Sequence, residues 1–116
     1  SRYYTNNYLL PIEAQKELVF EFNEVQLGVG FAKLSMSIGR GHDLSKTPEV
    51  FVNDNKVEVP LNWKGYDQAN RKKFFGAIEI PVPMELIKQN NSVRVTFPET
   101  GGHLSSLILD VEIIIN

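Results

Sequence analysis

The residues with chemical potential in this 116-residue chain are few and scattered. A Ser/His/Asp set can be drawn on paper from Ser105, His103 and Asp43, but no Ser sits in a nucleophile-elbow pattern. Paired carboxylates for general acid/base work would have to come from Glu79, Glu99, Asp110 or Glu112. Glu79, Asp110 and Glu112 each alternate with apolar neighbours, which marks them as the water-facing side of strands. His42 and His103 with Asp43 or Asp67 could ligate a divalent metal, yet their spacing matches no ligand motif. Calcium held by loop carboxylates and carbonyls would leave no trace in such a pattern, so a structural calcium stays open and no cofactor is expected. Cysteine is absent, which removes thiol nucleophiles, thiolate metal sites and disulfides. The sequence therefore predicts no active site.

Binding chemistry is better represented. Polar loops around an aromatic ring suit ligands with hydroxyl edges and apolar C–H faces, as sugars have. The stretch 61–73 holds the single Trp63 with Lys64, Tyr66, Asp67, Gln68, Asn70, Arg71 and Lys72 around it. A structureless loop of this length is uncommon in a compact domain unless it has a function. Arg40, His42 and Asp43 come from a second polar stretch, and His103 from a third. Each has a plainer reading: Trp63 as a core or loop anchor, Arg71-Lys72-Lys73 as a solvated charge run, the two His as structural hydrogen-bonders. Together, Arg40, His42 and Arg71–Lys73 would form a local cationic patch suited to a sulfated ligand. Tyr3, Tyr4 and Tyr8 are expected to pack on the edge of the domain.

The elements that must position these loops are strands. Leu18, Phe20 and Phe22 alternate with Glu17, Val19 and Glu21; Ala32, Leu34, Met36 and Ile38 alternate with Lys33, Ser35 and Ser37. Val50–Val52 and Val57–Val59 flank Asn53-Asp54-Asn55-Lys56, a hairpin whose Asn and Asp tolerate the left-handed region. Phe74, Ile78, Ile80 and Val82 resume the alternation, and Met84–Lys88 could make one or two helical turns before Asn90-Asn91. Val93, Val95 and Phe97 form the next strand, and a last strand runs from Leu104 to Ile115. Between these two lies a six-residue connector with Pro98, Gly101 and Gly102, which suits positive φ. Residues 1–16 show no period and read as a lead-in segment packed on a domain spanning 17–116. Seven or eight strands without a substantial helix predict an all-β, antiparallel β-sandwich of jelly-roll kind.

Composition bounds the rest. Twelve Lys and Arg against fourteen Asp and Glu give a net charge of −2, so no global electrostatic attraction to nucleic acid or membrane is expected. A hydrophobic content of 42% is ordinary for one folded domain. No apolar run approaches a membrane span. The start at Ser-Arg-Tyr-Tyr, without Met, suggests a module cut from a longer or processed protein, and a monomer is expected.

Several runs resemble a known group of domains. Arg40-Gly-His42, Pro48-Glu-Val-Phe-Val-Asn53, Val57-Glu-Val-Pro60, Asn62-Trp63-Lys64-Gly65, Phe74-Phe75-Gly76 with Glu79-Ile80-Pro81-Val82-Pro83, and Asn90-Asn-Ser-Val-Arg-Val-Thr-Phe-Pro98 with Thr100-Gly-Gly-His-Leu-Ser-Ser106 resemble the non-catalytic β-sandwich modules of bacterial agarases and porphyranases. The resemblance spans about residues 17–115. It implies a galactose-binding-like jelly roll that acts as a carbohydrate-binding module for red-algal galactan, in a secreted or cell-surface protein with an attached catalytic domain. Its sugar site would lie in loops at one end of the sandwich, here carrying Arg40, His42, Trp63, Lys64, Arg71 and His103. Trp63 would stack on a galactose face, Arg40, Arg71 and Lys64 would reach hydroxyls or a sulfate, and the two His would donate to hydroxyls. A spacer domain that binds no sugar is the alternative; an exposed apolar patch around Tyr3, Tyr4, Tyr8, Leu9 and Leu10 would favour it.

Overall fold

A computed structural model describes residues 1–40, 46–60 and 76–115. Two antiparallel sheets face each other across one core. The strands are β1 (Arg2–Tyr4), β2 (Leu10–Pro11), β3 (Glu17–Phe22), β4 (Gly30–Gly39), β5 (Glu49–Val52), β6 (Asn55–Val57), β7 (Gly76–Val82), β8 (Asn91–Thr96) and β9 (His103–Ile113). One sheet has the order β1-β9-β4-β7, with β2 also on β9, and the other has the order β3-β8-β5-β6. The expected antiparallel sandwich is therefore present, and the sole helical element among the described residues is a 3-10 turn at Met84–Leu86.

Alternation builds the core directly. Leu18, Phe20 and Phe22 point inward from β3; Leu34, Met36 and Ile38 from β4; Val93 and Val95 from β8; Leu107, Leu109 and Val111 from β9. The β4–β9 register shifts between Ser37 and Ile38, so Ser37 faces Ser106 while Ile38 faces Leu104. This bulge absorbs Ser105, whose hydroxyl donates to the Ser37 carbonyl at 3.3 Å. It lets Leu104 and Leu107 both reach the core although three positions separate them. The β5–β6 hairpin turns on Asn53 and Asp54 at φ 48° and 68°. Two successive positive φ values define the type I′ turn that matches strand twist.

Three local readings differ from the expectation. β9 ends at Ile113, leaving Ile114 and Ile115 exposed beyond the sheet. Residues 2–4 and 10–11 pair with β9, opposite Ile108–Asp110 and His103–Leu104. Strands this short are too brief for a period to show. Tyr4 and Tyr8 are displayed to solvent rather than packed on the edge. Tyr4 lies opposite Ile108 on the outer face, whereas Tyr3, opposite the buried Leu109, turns inward against the core.

The outer face of the first sheet carries the ion pair Lys33–Glu79 at 3.0 Å. That hydrogen bond, helped by the same carboxylate's charge, raises the Lys33 pKa above its ordinary 10.5. A raised lysine pKa means stabilisation that is present below the ordinary value and fades as pH climbs through the raised one. Glu79→Gln is expected to bring the Lys33 titration, followed by NMR, back down towards 10.5. The pair is solvent-exposed, so the melting temperature should barely move.

Candidate functional site

Four crossings between the sheets gather at one end of the sandwich. They leave β2, β4, β6 and β8 and return through β3 at Glu17, β5 at Glu49, β7 at Gly76 and β9 at His103. The pairings Gly76 with Ile38, His103 with Gly39 and Glu17 with Thr96 put these strand ends at one level. The three polar stretches singled out in the sequence therefore all start and finish here. His42, Trp63, Lys64 and Arg71 themselves lie outside the described residues; Arg40 and His103 can be placed.

Arg40 is 2% exposed, not extended towards solvent as a ligand-reaching arginine would be. Its guanidinium lies 5.0 Å from the centre of the Phe97 ring and donates to the Glu99 carbonyl at 2.8 Å. Burial pushes the Arg40 pKa below the usual arginine value, while the Glu99 carboxylate pulls it back up. Its position is that of a strut beneath the connector between β8 and β9. His103 is exposed at the first position of β9, opposite Pro11 and Gly39. Of these two residues it is the one open to a ligand.

Glu99 acts on both stems of the 41–45 segment. Its carbonyl takes the Arg40 guanidinium, and its carboxylate accepts from the Lys46 backbone N–H at 2.7 Å. Gly102, at φ 80°, brings the connector so close to β4 that a Cβ would lie 1.8 Å from the Gly39 carbonyl oxygen. Only glycine fits there. From the other side the 11–15 segment straps the connector: Ile12 and Gly102 are joined at 3.0 Å, Gly101 and Ile12 at 3.0 Å, Gln15 and Phe97 at 2.8 Å. Ala14 also donates to the Thr100 hydroxyl at 2.9 Å. The connector is thus a fixed platform under the loop end. Sequence reasoning treated Glu99 only as a candidate acid; its organising role depends on two contacts across the fold that no spacing reveals.

A second concave surface lies on the open edge between β1 and β3. This cleft of about 540 Å³ is lined by Tyr4, Asn6, Asn7, Glu21 and Asn23 among others. No spacing in the sequence marks it, because its residues come from two segments brought together by the sandwich edge. Among the described residues no group of three or more His, Cys, Asp or Glu is placed to hold a metal. Nor is any described helix long and apolar enough to cross a membrane.

A family model described as beta porphyranase A C-terminal matches residues 19–112. The chain belongs to this family. Beta-porphyranase A of Phocaeicola plebeius is 50% identical over 113 residues, a match covering 97% of this chain and 16% of that protein. A funoran endo-beta-hydrolase of Wenyingzhuangia aestuarii is 46% identical over 112 residues, covering 95% of this chain and 15% of that protein. Among solved structures, a beta-porphyranase of glycoside hydrolase family 86 from Bacteroides plebeius superposes with a TM-score of 0.89 at 47% identity, over 100% of this chain and 21% of that one. A family 35 carbohydrate binding module from an environmental isolate superposes with a TM-score of 0.58 at 12% identity, covering 96% of this chain and 85% of that one, which shows the shared sandwich fold alone. The porphyranase C-terminal module thus spans about a sixth of the relatives' length. The catalytic glycoside hydrolase domain lies in the remainder of those proteins.

Proposed function

We propose that this porphyranase C-terminal module is a non-catalytic, monomeric galactan-binding domain that holds an attached glycoside hydrolase on agarose or porphyran outside the cell. The observation that carries the reading is that the strand ends flanking the polar stretches lie at one end of the sandwich, beside a connector clamped by Arg40, Glu99 and Gly102. Loops held still by a rigid sheet are where binding groups are usually presented. The relatives' names, a porphyranase and a funoran hydrolase, supply the polymer class. In this proposal Trp63 stacks on a galactose face, and His42 and His103 donate to hydroxyls. Lys64 and Arg71 reach hydroxyls or a sulfate, while Arg40 holds the connector in place. Tethering raises the local concentration of substrate for the catalytic domain even if each site is weak.

Affinity electrophoresis through gels containing agarose, porphyran, carrageenan or no polymer tests this. Retardation by agarose or porphyran is expected, with Trp63→Ala abolishing it at unchanged circular dichroism and Tyr4→Ala leaving it intact. The opposite pair of results would move the site to the edge cleft. Arg71→Ala should weaken retention by porphyran about tenfold, the scale of one lost hydrogen bond to a charged group, and weaken retention by agarose less. The second reading, a spacer that binds no sugar, draws on the exposed Tyr4, Tyr8 and Leu9. Equal mobility in every gel would select it.

A further inference from the structure

The cleft on the open edge between β1 and β3 has a lining of its own chemical character, which the loop end does not share. Tyr4 stands in it with 65% of its surface exposed, a ring face open to contact. Around the ring lie the amides of Asn6, Asn7 and Asn23, the hydroxyl of Thr5 and the carboxylate of Glu21. Alternation puts Glu21 here, because β3 turns Val19 and Glu21 outward while Leu18, Phe20 and Phe22 fill the core. Asn7 reaches over from the chain that follows β1 and donates to the Val19 carbonyl at 3.2 Å, tying the two walls together. The bond also engages a backbone carbonyl of β3, the end strand of its sheet, which disfavours pairing with an added peptide strand.

The lining narrows the ligand. A side-chain amide both donates and accepts, and so does a sugar hydroxyl. The side chains of Asn6, Glu21 and Asn23 have no hydrogen-bond or ion-pair partner among the described residues, and the Thr5 hydroxyl is shielded from water without a hydrogen bond. These groups are uncommitted. A carboxylate accepts from hydroxyls but repels a sulfate, and no Lys, Arg or His is among the described residues that line the cleft. Arg94, which pairs with Val19 across the sheet, is engaged by Glu17 and Asp54 at 3.1 Å each and lies 4.9 Å from the Phe51 ring centre. A volume of about 540 Å³ falls in the range of small-molecule sites. We infer that this cleft is a second saccharide site, one that takes uncharged sugar units of the galactan and refuses sulfated ones. The polymer class rests on the galactan-binding proposal, whereas the cleft, its amides and its charge do not depend on it. Glu21 lies about 13 Å along β3 from Glu17 at the loop end, so the two sites meet separate stretches of polymer.

A few hydrogen bonds and one stacked ring give a dissociation constant on the order of 1 mM. At that strength gel retention still reports the loop end, and the cleft is read by titration. The isotope-labelled chain is titrated with an uncharged agarose oligosaccharide and with a sulfated porphyran oligosaccharide of equal length, followed by NMR. The agarose oligosaccharide is expected to shift the side-chain amides of Asn6, Asn7 and Asn23 together, and to bind there about tenfold more tightly than the sulfated one. Tyr4→Ala should weaken this binding about tenfold. Glu21→Gln should raise the affinity for the sulfated oligosaccharide and leave that for the agarose oligosaccharide nearly unchanged. Both side chains are exposed, so both variants should melt as the parent does. The cleft shifts should persist in Trp63→Ala. Silent amides at ligand concentrations about tenfold above this constant, equal binding of both oligosaccharides, or loss of the shifts in Trp63→Ala would overturn the second site. Gel retardation beside a silent cleft rejects the cleft alone; a responsive cleft without retardation rejects the loop-end site alone.

Discussion

Phe97→Ala is expected to remove about 5 kcal/mol of stability, enough to leave a domain of this size marginal or unfolded. The ring is fully buried, and truncating a buried Phe to Ala typically costs about 3–5 kcal/mol through lost transfer free energy and the cavity left behind. The same ring carries the Arg40 guanidinium at 5.0 Å, a desolvated cation–π contact worth about 1–2 kcal/mol. Loss of the ring removes the aromatic face on which this buried cation rests. Urea unfolding should show a much lower midpoint at an unchanged slope. Phe97→Leu keeps most of the apolar volume and should lose only about 1.5 kcal/mol. A loss under 2 kcal/mol for the alanine variant would mean that the connector stands without its aromatic base.

Asn91→Ala is expected to cost about 3 kcal/mol from the opposite end of the sandwich. This side chain is 3% exposed and spends its amide on four partners. Nδ2 donates to the carbonyls of Lys88 at 2.7 Å and Phe22 at 3.2 Å. Oδ1 accepts from the Lys88 N–H and the Asn53 amide, each at 2.8 Å. Asn53 in turn donates to the Leu86 carbonyl and accepts from the Ser92 N–H, both at 2.9 Å. One buried amide thereby joins β3, the type I′ hairpin, the 3-10 turn and β8. Alanine strands these partners, and stranded buried groups cost more than the hydrogen bonds were worth. Asn91→Asp is a sharper probe: it keeps the acceptor, loses both donations and places a charge where Nδ2 faced two carbonyls. It should destabilise more than alanine at neutral pH and recover partly in acid, as the carboxyl protonates. Thermal melts at pH 4 and pH 7 read this out, and pH-independent loss would mean that water reaches the site.

The sandwich was legible because its core rests on alternation, and alternation is a local signal. Leu18, Phe20 and Phe22, or Leu34, Met36 and Ile38, announce their inward face without reference to anything distant. Asn53-Asp54 announces its turn for the same reason, since few residues accept two successive positive φ values. The candidate site was legible only as loops. The topology brings the ends of those loops together, while the site residues His42, Trp63, Lys64 and Arg71 fall outside the described residues. Arg40 shows why residue type alone misleads: a guanidinium is equally suited to a sulfate and to a buried strut, and the choice is made by Phe97, fifty-seven positions away. Asn91 reads in sequence as a helix stop, and its amide becomes the hub of four segments only once β3 and the hairpin lie beside it. The end of β9 escaped for a different cause. Ile113, Ile114 and Ile115 continue an apolar run, and nothing in that run marks where the partner strand stops.

The position of β9 bears on the order in which the molecule assembles. It is the last strand in sequence yet lies inside its sheet, with β4 on one side and β1 and β2 on the other. Neither β1, near residue 2, nor β4, near residue 30, has its principal neighbour until residues 103–113 have been synthesised. The sheet of β3, β8, β5 and β6 needs nothing beyond Thr96. In the free chain that sheet can pair first, with Leu34, Met36 and Ile38 on β4 lacking their β9 neighbours. Closure by β9 is then a long-range, late event of the kind that makes β-sandwiches slow to fold.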